Sequence, residues 1–273
     1  GPEHSRSIKE LVIEANHLVE NGSREINLLG QNVNAYNFEG KKLSDLIIEI
    51  SKIKDLKRIR YTTSHPVDFT EDLIAVHKNC KKLMPMIHLP VQSGSNKILK
   101  AMNRKHAIKE YLVIIEKLIK VRPDIKFSSD FIIGYPGETD EDFKKTLELI
   151  TKVGYINSFS FVYSARPGTP SFNLNMIDEK IAKIRLREFQ RAAEYIKNDY
   201  RKNLINKKVK VLFENKMKNG DKYFGRDEHF NSVIVESNVK LTGKIKYVKI
   251  LKGNQNTLFG EIYPNLNKTN YAA

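Results

Sequence analysis

The sequence predicts an α/β fold, a partial parallel (β/α) barrel followed by a small all-β barrel of OB-like type. Three observations support this prediction. Over residues 1–165, short apolar runs alternate with longer segments of helical periodicity. Each apolar run ends in a polar or glycine-containing segment, as expected where parallel strands end. After about residue 206 the helical pattern stops, and short alternating stretches separated by glycines follow.

The elements of the first region follow from these two periods. We expect strands at 26–29, 59–62, 86–89, 126–133 and 158–163. We expect helices at about 6–21, 43–53, 70–79, 95–102, 107–121 and 139–153, and a long amphipathic helix over 178–203. Because helices separate the strands, the strands should pair in parallel, with all their carboxyl ends at one edge.

The segment SSDFIIGYPGETDEDF joins a buried strand to a helix through a glycine turn. Gly134 and Gly137 supply backbone freedom, and Thr139 can cap the helix with Asp142 in the capping-box position. Ligands of α/β sheets bind beyond the carboxyl ends of strands. From these residues alone, a turn without a ligand is equally expected.

The five strand ends share a composition of small, amide and hydroxyl residues. Such segments follow the predicted strands at 30–34, 63–66, 92–95, 134–138 and 164–169. Five of them in series favour one shared polar site over five unrelated loops.

We predict three regions, with boundaries 1–205 for the barrel and its long helix, 206–262 for the small β module and 263–273 for a tail. Between 204 and 262 there are 12 Lys and Arg residues against six Asp and Glu. Tyr223 and Phe224 lie among them, so their rings could stack on bases, or both could equally belong to the core.

Composition limits the class of protein. The formal net charge is +15, from 47 Lys and Arg against 32 Asp and Glu, which favours a polyanionic partner, nucleic acid above all. A genome biased towards Lys, Ile and Asn could produce the same excess. No apolar run approaches the roughly 18 residues of a membrane span. With Cys80 as the one cysteine, no internal disulfide can form, and a cytoplasmic location is predicted.

Five strings in order resemble one family. They are NLLGQNVNAY (27–36), RYTTSHP (60–66), HLPVQSGS (88–95), SSDFIIGYPGET (128–139) and YSARPGTP (163–170). Together they resemble the radical S-adenosylmethionine (SAM) methylthiotransferases, and most closely the branch that adds a methylthio group to N6-isopentenyladenosine beside the tRNA anticodon. Residues 206–262 resemble the family's RNA-binding TRAM module.

The resemblance implies a set of binding residues. Gly30, Gln31 and Asn32 would neighbour the methionine end of the cofactor. The other implied cofactor residues, for the ribose, the adenosyl part and the rim, are Gln92, Ser93, Asp130, Gly134, Glu138 and Arg166. On the β module, the residues predicted to contact RNA are Lys208, Lys222, Tyr223, Phe224, Arg226 and Lys244. No residue is predicted to be catalytic or to bind a metal.

The chain departs from the family in its cysteines. Members hold two 4Fe-4S clusters on two sets of three cysteines, whereas this chain has Cys80 alone. We therefore expect a C-terminal part that begins after the cysteine loop, lacks the first barrel strand and is inactive alone. The whole enzyme would use SAM to insert sulfur at adenine C2 and to methylate it. Its partners would be tRNA and a sulfur donor or iron-sulfur assembly proteins.

Two other classes stay open. The first is a non-catalytic tRNA-binding protein from a truncated gene. Salt-dependent tRNA binding without an enzymatic partner would support it. The second is an ordinary βα-barrel enzyme with Asp130, His65 or His88 as acid-base groups, which predicts turnover without iron and strongly shifted pKa values. A missing first strand would also leave an exposed sheet edge that invites self-association.

Overall fold

The computed structural model describes residues 4–62, 64–165, 167–168, 172, 174–218 and 220–263. It divides the chain into two compact units, Gly1–Lys197 and Asn198–Ala273. Across the described ranges, no helix combines the length and the apolar character needed to cross a membrane.

The first unit contains the predicted parallel strands and one short hairpin. Its strands are β1 (Glu25–Leu28), β2 (Asn37–Phe38), β3 (Lys41–Lys42), β4 (Arg58–Tyr61), β5 (Met86–His88), β6 (Lys126–Ile133) and β7 (Asn157–Val162). Strand β1 pairs in parallel with β4, and β6 pairs in parallel with β5 and β7. A parallel bridge between Ile59 and Leu83 connects the two sets. In the part of the chain that the structure describes, these strands do not close into a barrel.

The helices lie close to their predicted positions. They are α1 (Ile8–Glu20), α2 (Leu43–Ser51), α3 (Glu71–Asn79), α4 (Asn96–Ala101), α5 (Ile108–Val121), α6 (Asp140–Val153) and α7 (Glu179–Lys202). Local sequence explains several ends. Thr139 and Asp142 form the predicted capping box of α6, and the left-handed Gly154 at φ +69° ends that helix.

One face of the parallel strands packs against the helices. Ile26, Ile59, Ile87 and Phe131 lie on this face and are buried in the main core. The ring centroid of Phe131 lies 4.7 Å from that of Phe189 on α7. Because side chains alternate along a strand, the residues between these apolar positions point to the opposite face.

The second unit is a closed five-stranded barrel. Its strands are β8 (Lys208–Lys216), β9 (Lys222–Arg226), β10 (Ser232–Glu236), β11 (Ile245–Gly253) and β12 (Thr257–Ile262), in the order β10-β12-β11-β8-β9. A Cβ at Gly225 would lie 2.4 Å from the Leu212 carbonyl oxygen, and one at Gly260 equally close to that of Lys249. Glycine is therefore required where neighbouring strands come closest.

The predicted parallel strands and the small β-barrel are confirmed. Strand β6 occupies its predicted residues, and the ends of the other parallel strands differ from the predicted ones by at most one residue. Strand β9 was not predicted from the sequence. Two of its residues, Tyr223 and Phe224, lie in a short basic segment that we interpreted as a possible RNA-binding surface. The β2–β3 hairpin is also new, since its two-residue strands are too short to show a period.

Candidate functional site

The face of the parallel strands opposite the helices, here called the inner face, carries polar side chains near the middle of the sheet. His88 lies opposite Ser128 in the register of β5 and β6, and Asp130 follows on the same face. His88 Nδ1 is hydrogen-bonded to Ser128 Oγ at 2.9 Å, and its Nε2 lies 3.4 Å from Asp130 Oδ2. The Asp130 side chain is 33% exposed, so the carboxylate can also accept a hydrogen bond from a ligand.

Charged residues occupy the inner face of the neighbouring pair of strands. Glu25 Oε1 accepts a hydrogen bond from Arg60 Nε at 3.0 Å, and Glu25 Oε2 lies 3.9 Å from Arg58 NH1. Both arginines are almost fully buried, whereas the Glu25 side chain is 20% exposed. This side of the inner face therefore carries more positive than negative charge. The β5–β6 side carries the Asp130 carboxylate.

The loops that follow β1 and β4 are bound to each other by amide side chains. Asn34 accepts a hydrogen bond from the His65 backbone N–H and donates one to the His65 carbonyl oxygen, both at 2.8 Å. Asn32 Nδ2 donates to Asp68 Oδ2 at 2.6 Å. The Asn32 Oδ1 atom is buried and has no hydrogen-bond partner. A buried carbonyl oxygen without a donor is costly.

Three of the predicted cofactor residues line one cavity beside these loops. Its volume is about 510 Å³, and its wall includes Gly30, Gln31 and Asn32 together with Leu29 and the segment 4–6. These three consecutive residues are the ones that the resemblance places at the methionine end of the cofactor.

The loop 92–95 is bound to helix α6 by buried hydroxyl groups. Ser93 is 1% exposed, and its Oγ accepts a hydrogen bond from the Ser95 N–H at 3.2 Å. Thr146 Oγ1 accepts one from the Gly94 N–H at 3.0 Å, and Ser95 Oγ donates to Asp142 Oδ1 at 2.6 Å. Burial raises the pKa of Asp142, but hydrogen bonds from Ser95, Thr139 and Lys97 outweigh it and hold that pKa far below its ordinary value.

The glycine turn after β6 is held by a buried ion pair. Glu138 Oε1 accepts hydrogen bonds from the Gly134 N–H at 3.2 Å and from Arg185 NH1 at 2.9 Å. Burial raises the pKa of Glu138, against the opposing effect of the Gly134 N–H and Arg185. Gly134 has φ +74°, and a Cβ there would lie 2.8 Å from the Cβ of Ala182 on α7. Only glycine satisfies both the conformation and the contact.

Ser93 and Glu138, both predicted as cofactor contacts, therefore point into the protein. Their side chains bind neighbouring loops and helices, and they support the strand ends from behind. Gln92 is different, because it adopts φ +76°, which is costly for a residue with a side chain. Its backbone extends the β6 pairing next to Asp130, with its N–H donating to the Asp130 carbonyl oxygen at 3.0 Å.

A histidine pair, of which the sequence indicated only His65, lies near the same strand ends. The ring centroids of His65 and His106 are 5.7 Å apart. Burial, and then the positive Arg104, lower the pKa of His65, whereas burial and the neighbouring His65 lower the pKa of His106 to about 4. Burial also lowers the pKa of Arg104, while the Asp130 carboxylate opposes that shift. His106 follows helix α4 in a plain basic segment, so no motif pointed to it.

The remaining points concern Arg166, the last predicted cofactor residue, and the ligands of a metal cluster. Arg166 lies outside the described residues. Within the described ranges, no group of three or more His, Cys, Asp or Glu side chains is arranged to hold a metal ion. The one cysteine, Cys80, is buried in the main core. The residues present do not fit a 4Fe-4S cluster, which needs several thiolates.

The predicted RNA-binding residues of the second unit separate into two groups. Lys208, Lys222 and Lys244 are exposed, whereas Tyr223 is 5% exposed and belongs to the barrel core. Of the two alternatives for Tyr223, the structure shows the core position. Phe224 points to the other side of β9, with the Arg226 guanidinium 5.2 Å from its ring centroid. Arg226 NH1 also donates to both carboxylate oxygens of Glu214, at 2.8 and 2.9 Å.

Parallel strands covered by helices, with polar groups at their carboxyl ends, define an α/β protein, a class in which ligands bind over the strand ends. Residues 1–150 match the model of the radical SAM superfamily. The chain belongs to that superfamily.

Curated relatives and solved structures extend this result. The chain is 56% identical over 268 residues to the tRNA-2-methylthio-N(6)-dimethylallyladenosine synthase of Pelagibacter ubique, covering 96% of this chain and 60% of the relative. It is 48% identical to the protein of that name from Wolbachia pipientis subsp. Culex pipiens, covering 95% of this chain and 61% of the relative. The chain thus spans about 60% of the length of these relatives.

Coproporphyrinogen III oxidase from Escherichia coli, a radical SAM enzyme, shares the fold at a TM-score of 0.53 and 11% identity. The match covers 94% of this chain and 65% of that one. At this identity the likeness concerns the fold alone.

Proposed function

We propose that this chain is the cofactor- and RNA-binding part of a tRNA methylthiotransferase that acts on N6-dimethylallyladenosine. The observation that carries the proposal is the 56% identity to a synthase of that name, which extends over 96% of the chain and so includes both units. The motifs of the resemblance lie at the strand ends in the structure, where ligands of parallel α/β folds bind.

The described residues fit SAM at the strand ends. Asn32 offers the buried oxygen without a partner, and Gly30 and Gln31 line the same cavity. Gln92 and the backbone at Gly134 would support the adenosyl part of the cofactor. Asp130 faces the inner side of the sheet, within reach of either cofactor or substrate. When bound, SAM would supply the methyl group and, with an electron from a cluster that this chain does not hold, the radical; these residues would orient the cofactor and exclude water.

The second unit would bind the RNA. Exposed Lys208, Lys222 and Lys244, with Arg226 beside Phe224, combine phosphate-binding charge with an aromatic ring. A small basic β-barrel of this kind supports the proposed identity as a TRAM module. Tyr223 would contribute to the stability of the barrel core. In a cytoplasmic enzyme, a sulfur donor or iron-sulfur assembly proteins would be further partners.

A second candidate, a non-catalytic tRNA-binding protein, is favoured by one observation. The chain holds a single cysteine and therefore provides no cluster ligands. The two candidates differ in whether the SAM site is still used.

Two binding measurements test the proposal. Fluorescence anisotropy with an anticodon stem-loop RNA should show binding that weakens steeply with salt. The substitutions Lys222→Ala and Lys244→Ala should each weaken binding, whereas Lys152→Ala on exposed α6 surface should not. Calorimetry with SAM should show saturable binding that Asn32→Ala weakens. RNA binding without any SAM binding would support the non-catalytic candidate. An absence of RNA binding would overturn both.

A further inference from the structure

The three segments that lead into strands β4, β5 and β6 carry a concentration of basic residues. Segments 52–57, 78–82 and 120–126 contain nine Lys and Arg against two Asp. Because these strands run in parallel, the segments before them lie at one edge of the sheet, at the amino ends of the strands. We call this surface the basic face. Its basic residues are Lys52, Lys54, Lys57, Lys78, Lys81, Lys82, Lys120, Arg122 and Lys126.

Hydrogen bonds hold the three segments of the basic face next to one another. Lys82 Nζ donates to the Ile53 carbonyl oxygen at 2.6 Å. Arg122 NH1 donates to the carbonyl oxygens of His77 and Leu83, at 3.2 and 3.1 Å. These two cations therefore hold the segments together, and the positive charges around them are brought onto one surface.

Several of these charges are not neutralised. Lys54, Lys57 and Lys81 are exposed, and no acidic side chain in the described part of the chain forms an ion pair with them. Burial, and then the positive charge of Lys57, lower the pKa of Lys82. Like charges held together repel one another, so a bound anion would stabilise this surface.

Helix ends account for only some of these cations. A cation in the last turn of a helix interacts favourably with the helix dipole, which explains Lys78 on α3 and Lys120 on α5. The exposed Lys54 and Lys57 lie beyond the end of α2, and Lys81 lies beyond the end of α3. These three lysines are therefore not explained by the helices that precede them.

A general excess of lysine does not explain the basic face either. A genome biased towards Lys would place lysines at both edges of the sheet. The loops at the opposite edge, after β1, β4, β5 and β6, contain no Lys or Arg over residues 29–36, 62–70, 89–95 and 134–139. The positive charge is therefore concentrated at the amino edge, where α/β folds do not hold their catalytic groups.

The residue types limit the class of partner. The segments of the basic face contain no Phe, Tyr or Trp, so they offer no ring on which an unpaired base could stack. Lysine binds a phosphate as a point charge, and phosphate contacts do not read the base sequence. An RNA double helix presents its phosphates as a regular surface, whatever its sequence.

We propose that the basic face binds the phosphate backbone of an RNA double helix, independently of its sequence. The two ends of a strand face opposite directions, so a duplex bound here leaves the cofactor site at the carboxyl ends free. It is therefore a binding event separate from the one that presents a base to the cofactor. This binding does not depend on the proposed function.

Fluorescence anisotropy with a blunt-ended RNA duplex that has no loop tests the proposal on the full chain. Lys222→Ala and Lys244→Ala are present in every variant, so that the second unit contributes little. Adding Lys54→Ala, Lys57→Ala and Lys81→Ala together should weaken binding at least tenfold. The slope of log affinity against log salt concentration should become shallower by about three, because each lost phosphate contact removes roughly one. Two duplexes of unrelated sequence should behave alike.

A matched control removes the same charge from the carboxyl side of the same unit. Lys41, Lys105 and Lys109 are exposed there, and their joint replacement by Ala should leave both the affinity and the salt slope nearly unchanged. Urea unfolding separates binding from a structural role. Because the substitutions on the basic face remove repulsion, its triple variant should unfold at no lower a urea concentration than the parent.

Four contrary outcomes would each overturn the proposal. The first is an equal loss of affinity in both triple variants, which would show a response to net charge alone. The second is a lower urea midpoint for the basic-face variant, which would indicate a structural role. The third is tighter binding of polyglutamate than of the duplex, which would assign the face to an acidic protein. The fourth is tighter binding of phosphatidylserine vesicles, which would assign it to a membrane surface.

Discussion

Two halves of the strand-end site are built differently. The loops after β5 and β6 are filled with internal contacts, in which Ser93, Ser95, Asp142 and Glu138 all bond to the protein itself. The loops after β1 and β4 are also bound to each other, yet Asn32 keeps a buried oxygen without a partner next to a cavity of about 510 Å³. The first half is called here the clamped half and the second the open half.

The comparison shows that residues of the strand-end motifs differ in what their side chains contact. Hydroxyl and carboxylate groups at a strand end can serve the ligand or hold the loop that approaches it. The contacts of each side chain decide between these roles. In the clamped half, substitutions should act mainly on stability. In the open half, they should act mainly on ligand affinity.

The largest expected effect is on the buried ion pair of the clamped half. Arg185→Ala leaves the Glu138 carboxylate buried without its partner, and we expect a loss of about 3 to 5 kcal/mol in the free energy of unfolding. Urea unfolding followed by circular dichroism measures it. Lys183→Ala removes the exposed pair with Glu179 and is the control, with an expected change of at most about 1 kcal/mol. Equal effects in both variants would contradict the clamped role.

The next effect compares one glycine from each half. A Cβ at Gly94 would lie 2.4 Å from the Lys145 carbonyl oxygen, whereas one at Gly30 meets nothing closer than 3.4 Å. Gly94→Ala should therefore destabilise the protein by about 1 to 3 kcal/mol through overpacking.

Gly30→Ala should leave stability within about 0.5 kcal/mol, as a surface substitution does, and should weaken SAM binding. Urea unfolding and calorimetry on the two variants check this pair. A stability loss in Gly30→Ala as large as in Gly94→Ala would remove the distinction between the halves.

Lowering the pH should reduce the stability of the protein through a histidine that packs against the open half, and not through Asp142 of the clamped half. Burial lowers the pKa of His106, whose ring packs against His65 of the open half, to about 4, while an unfolded histidine titrates near 6.5. The unfolded chain thus binds the proton first, and stability falls as pH drops from about 6.5 towards 4, by up to about 1.4 kcal/mol per pH unit. Asp142 in the clamped half keeps its charge throughout this window, because its pKa is held far below the ordinary value.

Urea unfolding at several pH values should show this slope, and His106→Gln should reduce it. Buried His77, whose pKa burial lowers to about 3, contributes a second slope over the same range. His77→Gln is therefore the matched comparison. A slope unchanged by both substitutions would contradict this account.

The last comparison concerns two hydrogen-bond donors to one carboxylate. Ser95 donates to Asp142 in the interior, whereas the Lys97 side chain that also donates to it is 59% exposed. Ser95→Ala should cost about 1 to 3 kcal/mol, because it leaves a buried acceptor without its donor. Lys97→Ala should cost less than about 1 kcal/mol, as an exposed ion pair does. Urea midpoints of the two variants give the ranking, and the reverse order would contradict it.

The local sequence was sufficient to predict most secondary-structure elements and the positions of the motifs. Strand β6 was predicted at the residues it occupies, and the capping box of α6 at Thr139 and Asp142 was predicted correctly. Such features depend on neighbours within a few positions, so the residues themselves carry the information. The five strings in order, likewise, were enough for the resemblance that the superfamily match bears out.

The tertiary structure decided which way the side chains point. The alternation in SFSFV predicts a strand for Phe159 and Phe161, but it does not say that the rings take the open face and the serines the covered one. From the sequence, Ser93 and Glu138 resemble ligand-binding residues. In the structure, their side chains contact residues of α6 and α7. His106 has no signal at all in the sequence. In each case the physical reason is the same, because burial and hydrogen bonding depend on elements that are distant in the chain.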